Sequence, residues 1–128
     1  EYFESLMNSL PTKANEINVH VEKLNAKYKE YEQVHSQRKQ MIETKKTQLA
    51  NKKALIDQER RQSEQAQQAK NYDLAKTYAD RANNLVLNHN QLVAAVDEDI
   101  RQLNQFTDNF QNSIKPMQDE LDAKKKEY

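Results

Sequence analysis

The chain has no glycine, no cysteine and no tryptophan, and only two prolines, Pro11 and Pro116. Each absence excludes something. Tight turns with positive φ normally use glycine, so a fold built from many short strands and loops is disfavoured. Without cysteine there are no disulfides, no thiolate metal ligands and no sulfur nucleophile. Between the two prolines no residue forcibly breaks a helix. Long apolar runs are also missing: no stretch reaches the roughly 18 residues of a membrane-spanning helix, and no signal-peptide pattern is visible. Nothing in the sequence fixes a compartment. Neither charge dominates, because 20 basic and 20 acidic residues give a formal net charge of +0.

What remains is a chain of 128 residues, enough for one domain. It is 36% hydrophobic and 31% charged, with a mean hydropathy of -1.16. That profile suits long amphipathic helices and is too polar for a compact sheet protein. Zero net charge and a helical apolar period argue against a disordered chain.

The period is specific. From Ile17 the series runs Val21, Leu24, Tyr28, Tyr31, His35, Arg38, Ile42, Lys45, Leu49, Lys52 and Ile56 in alternating steps of four and three. This is a heptad seam. From His35 onward a polar residue takes about every second place, and a Lys or Arg can lay its stem along such a seam. After Ile56 the seam fades through "DQERRQSEQAQQAK". It resumes at Ala75 and runs through Ala79 (or Tyr78), Ala82, Val86 (or Leu85), Val93, Val96, Ile100, Leu103, Phe106, Phe110, Ile114, Met117 and Leu121. The step from Phe106 to Phe110 to Ile114 departs from strict heptads, which locally unwinds a left-handed supercoil. Pro116 is expected to loosen the helix one turn earlier, near Asn112.

Between the two seams lies "KNYD", residues 70 to 73. A fold-back there sets Ile56 opposite Val86 or Leu87, Leu49 opposite Val93, Ile42 opposite Ile100 and Tyr28 opposite Ile114. Leu24 then meets Met117 or Leu121. Charges match as well: Lys45 and Lys46 come opposite Glu98 and Asp97, and a wrong alignment would bring like charges together. Alanines 66, 69, 75, 79 and 82 cluster at such a tip. Asn71 suits a left-handed residue at a helix C-terminus. Asp73 suits a cap or an acidic first turn, and Tyr72 is placed to cover the tip.

The expected fold is therefore all-α: a long antiparallel two-helix coiled-coil hairpin with arms over 12–70 and 72–128. A short helix over 1–11, apolar through Tyr2, Phe3, Leu6, Met7 and Leu10, is expected to pack at the open end. A two-helix hairpin buries little apolar surface. Pairing into a four-helix bundle buries more, so a homodimer or another protein partner is expected.

Chemistry is sparse. Glu32 and His35 share the Glu-x-x-His spacing of carboxylate-bridged metal bundles. The second copy such a site needs is missing, since Ile17 and Val86 stand three residues before His20 and His89. An ordinary histidine is the expected reading, and no metal or other cofactor is called for. There is no glycine-rich phosphate loop and no nucleophile elbow, so catalysis is not expected. The segment "NYDLAKTYADRA" resembles the second helix of a tetratricopeptide repeat at Tyr72, Ala75 and Ala82. The glycine of that family is absent and no copy follows at a period of about 34, so the likeness implies nothing further.

The sequence thus points to a non-enzymatic structural or protein–protein interaction module, a spacer or docking arm. Its expected surfaces are the tip at Tyr72 and an aromatic end formed by Tyr2, Phe3, Phe106 and Phe110. Lys45, Lys46, Asp97 and Glu98 are expected to set the register. The alternative is nucleic-acid or anionic-surface binding through the basic stretch 38–61. Zero net charge and the lack of interleaved aromatics weigh against nucleic acid. Membrane insertion is not expected.

Overall fold

A computed structural model describes the backbone of residues 2–127 and the side chains of residues 12–127. The expected short helix over 1–11, with Tyr2 and Phe3, lies outside the fully described residues. Two helices make up the described chain, α1 over Tyr2–Gln68 and α2 over Tyr72–Glu127. They pack against each other as a hairpin, and no strand occurs among the described residues.

The turn is compact and its chemistry is complete. Lys70 takes the left-handed conformation with φ 65°. Its N–H donates to the Gln67 carbonyl at 2.9 Å, and the Asn71 N–H donates to the Ala66 carbonyl at 2.8 Å. This pair of bonds is a Schellman closure of α1. Asn71 then starts α2: its Oδ1 accepts from the Leu74 N–H at 3.3 Å, which makes it the N-cap. The left-handed role expected of Asn71 thus falls to Lys70, because the asparagine oxygen is used as the cap. Asp73 sits in the first turn, where a carboxylate favours the helix dipole. Tyr72 does not cover the tip; it is 64% exposed.

Two compact units can be distinguished. One comprises Arg38–Gln102 and contains the turn; the other comprises Glu1–Gln37 with Leu103–Tyr128. In the turn-containing unit, Ile42, Ile56, Ala66, Ala75, Ala82 and Val96 are buried. Alanines at the turn let the helix backbones come close, and Ser63 Oγ reaches across to donate to the Ala75 carbonyl at 2.8 Å. The seam does not fade after Ile56. It continues through Glu59 and Ser63, both half-buried, to Ala66. On α2 the buried residues Ala75, Ala82 and Val96 fall on one heptad row, and half-buried His89 fills its remaining place.

In the other unit, Leu24, Ile114 and Leu121 form the buried cluster. Ile17, Val21, Phe110 and Met117 pack against it. Leu24 therefore meets Leu121 as the fold-back requires. Thr107 joins Phe106 in facing α1, so the seam keeps heptad spacing through Leu103, Thr107, Phe110 and Ile114. α2 stays helical across Pro116. The proline takes one donor from the ladder, and the Asn112 carbonyl is the acceptor that loses it.

Candidate functional site

The unit holding residues 12–37 and 103–127 is organised around Tyr31. Its ring lies between two phenylalanines of α2, with centroids 4.1 Å from Phe110 and 5.4 Å from Phe106, each at an interplanar angle of 15°. The His35 ring lies 5.4 Å away on the next turn. Tyr28 meets Phe110 edge-on at 5.2 Å. Both tyrosine hydroxyls are used: Tyr31 pairs with Thr107 Oγ1 at 3.2 Å, and Tyr28 accepts from Gln118 Nε2 at 2.6 Å. Farther along, Lys124 Nζ donates to Glu16 Oε2 at 3.4 Å, and His20 Nε2 lies 3.6 Å from Glu120 Oε1. A shallow cleft of about 250 Å³ runs beside the stack between Val34 and Phe106. Phe106 and Phe110, expected as partner-facing residues, are half-buried and hold the two helices together.

The Glu32–His35 pair builds no ligand set. Glu32 is exposed, while His35 packs on Tyr31. Among the described residues no group of three or more His, Asp or Glu side chains comes together in a way that could hold a metal ion.

In the turn-containing unit, the inter-helix charge pair joins Lys45 to Asp99, with both side chains 29% exposed. Lys45 thus takes Asp99, where Glu98 was expected. The reason is geometric. Asp99 immediately precedes the seam residue Ile100 and borders the seam, whereas Glu98 lies one position farther out. Glu98 instead binds within α2. Arg101 Nε donates to its Oε2 at 2.9 Å, and Gln102 Nε2 donates to Oε1 at 3.2 Å. The hydrogen-bonded Arg101 guanidinium, followed by the Gln102 amide, holds the Glu98 carboxyl below its ordinary value, and Glu98 raises Arg101 in return. Lys46 pairs with Glu43 on its own helix at 3.7 Å, and Asp97 is exposed.

The two flanks of this unit differ in character. On one, Met41 and Leu55 of α1 lie two heptads apart, and Tyr78, Leu85 and Leu92 of α2 follow at single-heptad spacing. Met41 is 59% exposed and Leu55 47%, while the three α2 residues are half-buried. Two shallow clefts open here. One, of about 180 Å³, is lined by Met41, Ile42 and Asp99. The other, of about 410 Å³, is lined by Gln48, Leu92 and Ala95. On the other flank of α1, Lys39, Lys46, Lys53 and Arg60 recur every seven residues, all exposed. The basic stretch 38–61 therefore separates into one cation row at the surface, two half-buried seam lysines, Lys45 and Lys52, and the exposed Arg38 and Arg61. The apolar flank is readable in the sequence as a period of seven beside the seam.

No helix among the described residues is long and apolar enough to cross a membrane. Comparison with known protein families, with characterised proteins and with solved structures yields no match.

Proposed function

We propose that this chain is a non-enzymatic structural and protein–protein interaction module, a coiled-coil spacer or docking arm of a larger assembly. The observation that carries this reading is where the large apolar side chains lie. Met41, Leu55, Tyr72, Leu74 and Leu87 are all exposed on a hairpin whose buried residues form a single thin seam. Apolar surface of this kind is what a partner removes from water. The three-and-four spacing of the seam supports coiled-coil pairing of the arms. The Tyr31 stack and the Lys45–Asp99 pair fix the alignment of the arms, as a spacer requires.

Amide hydrogen exchange, compared between the chain alone and the assembly isolated with it, tests the proposal. Slower exchange at the 69–75 turn or along the helices bearing Met41 and Leu85 is expected. Identical exchange in both states would remove the interaction reading.

The cation row Lys39, Lys46, Lys53 and Arg60 supports a second reading, binding to a polyanion. It predicts affinity for DNA or RNA at low salt that falls steeply as salt rises. Absence of binding at low salt would end it.

A further inference from the structure

We propose that the turn holds the two seams out of phase and so closes each hairpin on itself, barring the exchange of arms between two copies of the chain. This concerns the closure of the arm and stands whether or not its flanks bind a partner. Three observations carry it.

The first is that the turn has no residue that forbids a straight helix. Only Ala69, Lys70 and Asn71 separate α1 from α2, and none is glycine or proline. A helix accepts all three at modest cost. Straightening would release Lys70 from its left-handed φ of 65°, which is unfavourable for a residue with a Cβ. The capping bonds of the turn would be replaced by those of an uninterrupted helix. Short hinges under strain are where identical chains exchange elements. Something beyond local conformation therefore keeps the chain folded back.

The second is phase. α1 reaches the turn with Ser63 and Ala66 on its seam, and α2 leaves it with Ala75, Ala79 and Ala82. In the hairpin these rows face each other, and Ser63 Oγ bonds to the Ala75 carbonyl. In one continuous helix they would not. At about 100° per residue, the step from Ala66 to Ala75 makes about two and a half turns, so the rows would point to opposite sides. A coiled coil needs about 75 Å, half its pitch, to carry a neighbour round to the other side. The step from Ala66 to Ala75 rises only about 14 Å. No single neighbour can therefore cover both rows of a straightened chain.

The third is what a straightened chain would offer in place of each seam. The row continuing the α1 seam is Lys70, Asp73, Thr77 and Asp80. The row leading back from the α2 seam is Tyr72, Gln68, Gln65 and Arg61. All are exposed in the hairpin, and only Tyr72 carries a large apolar body. Removing Lys70 and Asn71 alone would set Ser63, Ala66, Tyr72, Ala75, Ala79 and Ala82 in unbroken steps of three and four. The two residues that close α1 and cap α2 are thus also the phase break.

A distance within one chain tests the proposal. The chain has no cysteine, so Lys53→Cys and Asn90→Cys, at exposed positions on the two helices, give two label sites. Doubly labelled chains are diluted into an excess of unlabelled chains of the same variant. In wild type the labels should stay within about 20 Å, the scale of neighbouring helices, at every concentration and whatever the oligomeric state. Lys70→Ala with Asn71→Ala removes the N-cap but keeps the phase, and should stay short. Deleting Lys70 alone leaves the rows about 80° apart and should also stay short. Deleting both Lys70 and Asn71 restores the phase. At high concentration the distance should then rise to about 50 Å, the length of straight helix between the labels, with helicity by circular dichroism kept. A double deletion that leaves the distance short, or that loses its helicity, overturns the proposal. So does a long distance in wild type, in the alanine variant or in the single deletion, because an out-of-phase chain would then have straightened.

Discussion

Tyr31 is the residue on which most contacts converge, and it separates ring stacking from hydrogen bonding. Tyr31→Phe removes only the contact with Thr107, and a loss of about 0.5–1.5 kcal/mol is expected. Tyr31→Leu also removes the stacks on Phe106 and Phe110 and should cost about 1–3 kcal/mol, read from urea unfolding at 222 nm. For Lys45 and Asp99 a double-mutant cycle should give a coupling of about 0.5–1 kcal/mol, since the pair is still partly solvated, and added salt should reduce it. Glu98 gives the pH dependence. Its carboxyl is held down by Arg101, so the stabilisation is present above the ordinary carboxylate range and is lost as pH falls through the lowered value. In an NMR titration Glu98 should titrate below the ordinary carboxylate value, and Arg101→Ala should return it toward 4.5. At this scale the sequence was only partly legible. That Lys45 would find an acid on α2 could be read from charge matching. Which acid could not, because adjacent positions on a helix point about 100° apart and only the true alignment decides which of them borders the seam.

The turn shows what an element needs when glycine is absent. Lys70 carries the left-handed conformation at a cost of roughly 1–2 kcal/mol for a residue with a Cβ. Lys70→Gly should therefore raise stability by about 0.5–1 kcal/mol, with the melting temperature as the measurement, the gain being limited by glycine's greater freedom in the unfolded chain. The place of the turn was legible from Asn71, Asp73 and the apolar matching on either side. The assignment of Lys70 and Asn71 was not, because both roles suit asparagine and each residue can hold only one. The helices were legible as heptads, but the stretch from Glu59 to Ser63 was read as a gap. Hydropathy scores the polar end of a side chain and misses a stem or a small hydroxyl that fits between two close backbones. The apolar flank is legible only in part: Tyr78 and Leu85 stand as alternatives to the seam residues Ala79 and Val86, but a single seam already accounts for the helices.

Across the molecule, the kinds of contact are unevenly distributed. The turn-containing unit joins its helices through buried Ile42, Ile56 and Val96, through alanines near the turn, and through the Ser63 bond and the Lys45–Asp99 pair, with Lys52, Glu59 and His89 also on its seam. The unit bearing residues 12–37 and 103–127 joins them through four aromatic rings and the Leu24 cluster. The hairpin itself, its two arms and the meeting of Leu24 with Leu121 were all readable from composition and spacing. How much each stretch contributes was not, since that depends on which rings stack.

The uneven distribution also bears on the order of assembly. Ser63 and Ala75 are 12 residues apart along the chain, while Tyr31 and Thr107 are 76 apart and Glu16 and Lys124 are 108 apart. Loop closure makes the near contact form first and the far ones late. The turn region, whose contacts are small, must therefore hold long enough for the aromatic stack to arrive. In stopped-flow experiments Asn71→Ala should slow folding and leave unfolding nearly unchanged, whereas Tyr31→Leu should speed unfolding and leave folding nearly unchanged. On this account the barrier to folding is set by an asparagine cap and a serine hydroxyl, and the lifetime of the folded chain by a tyrosine between two phenylalanines.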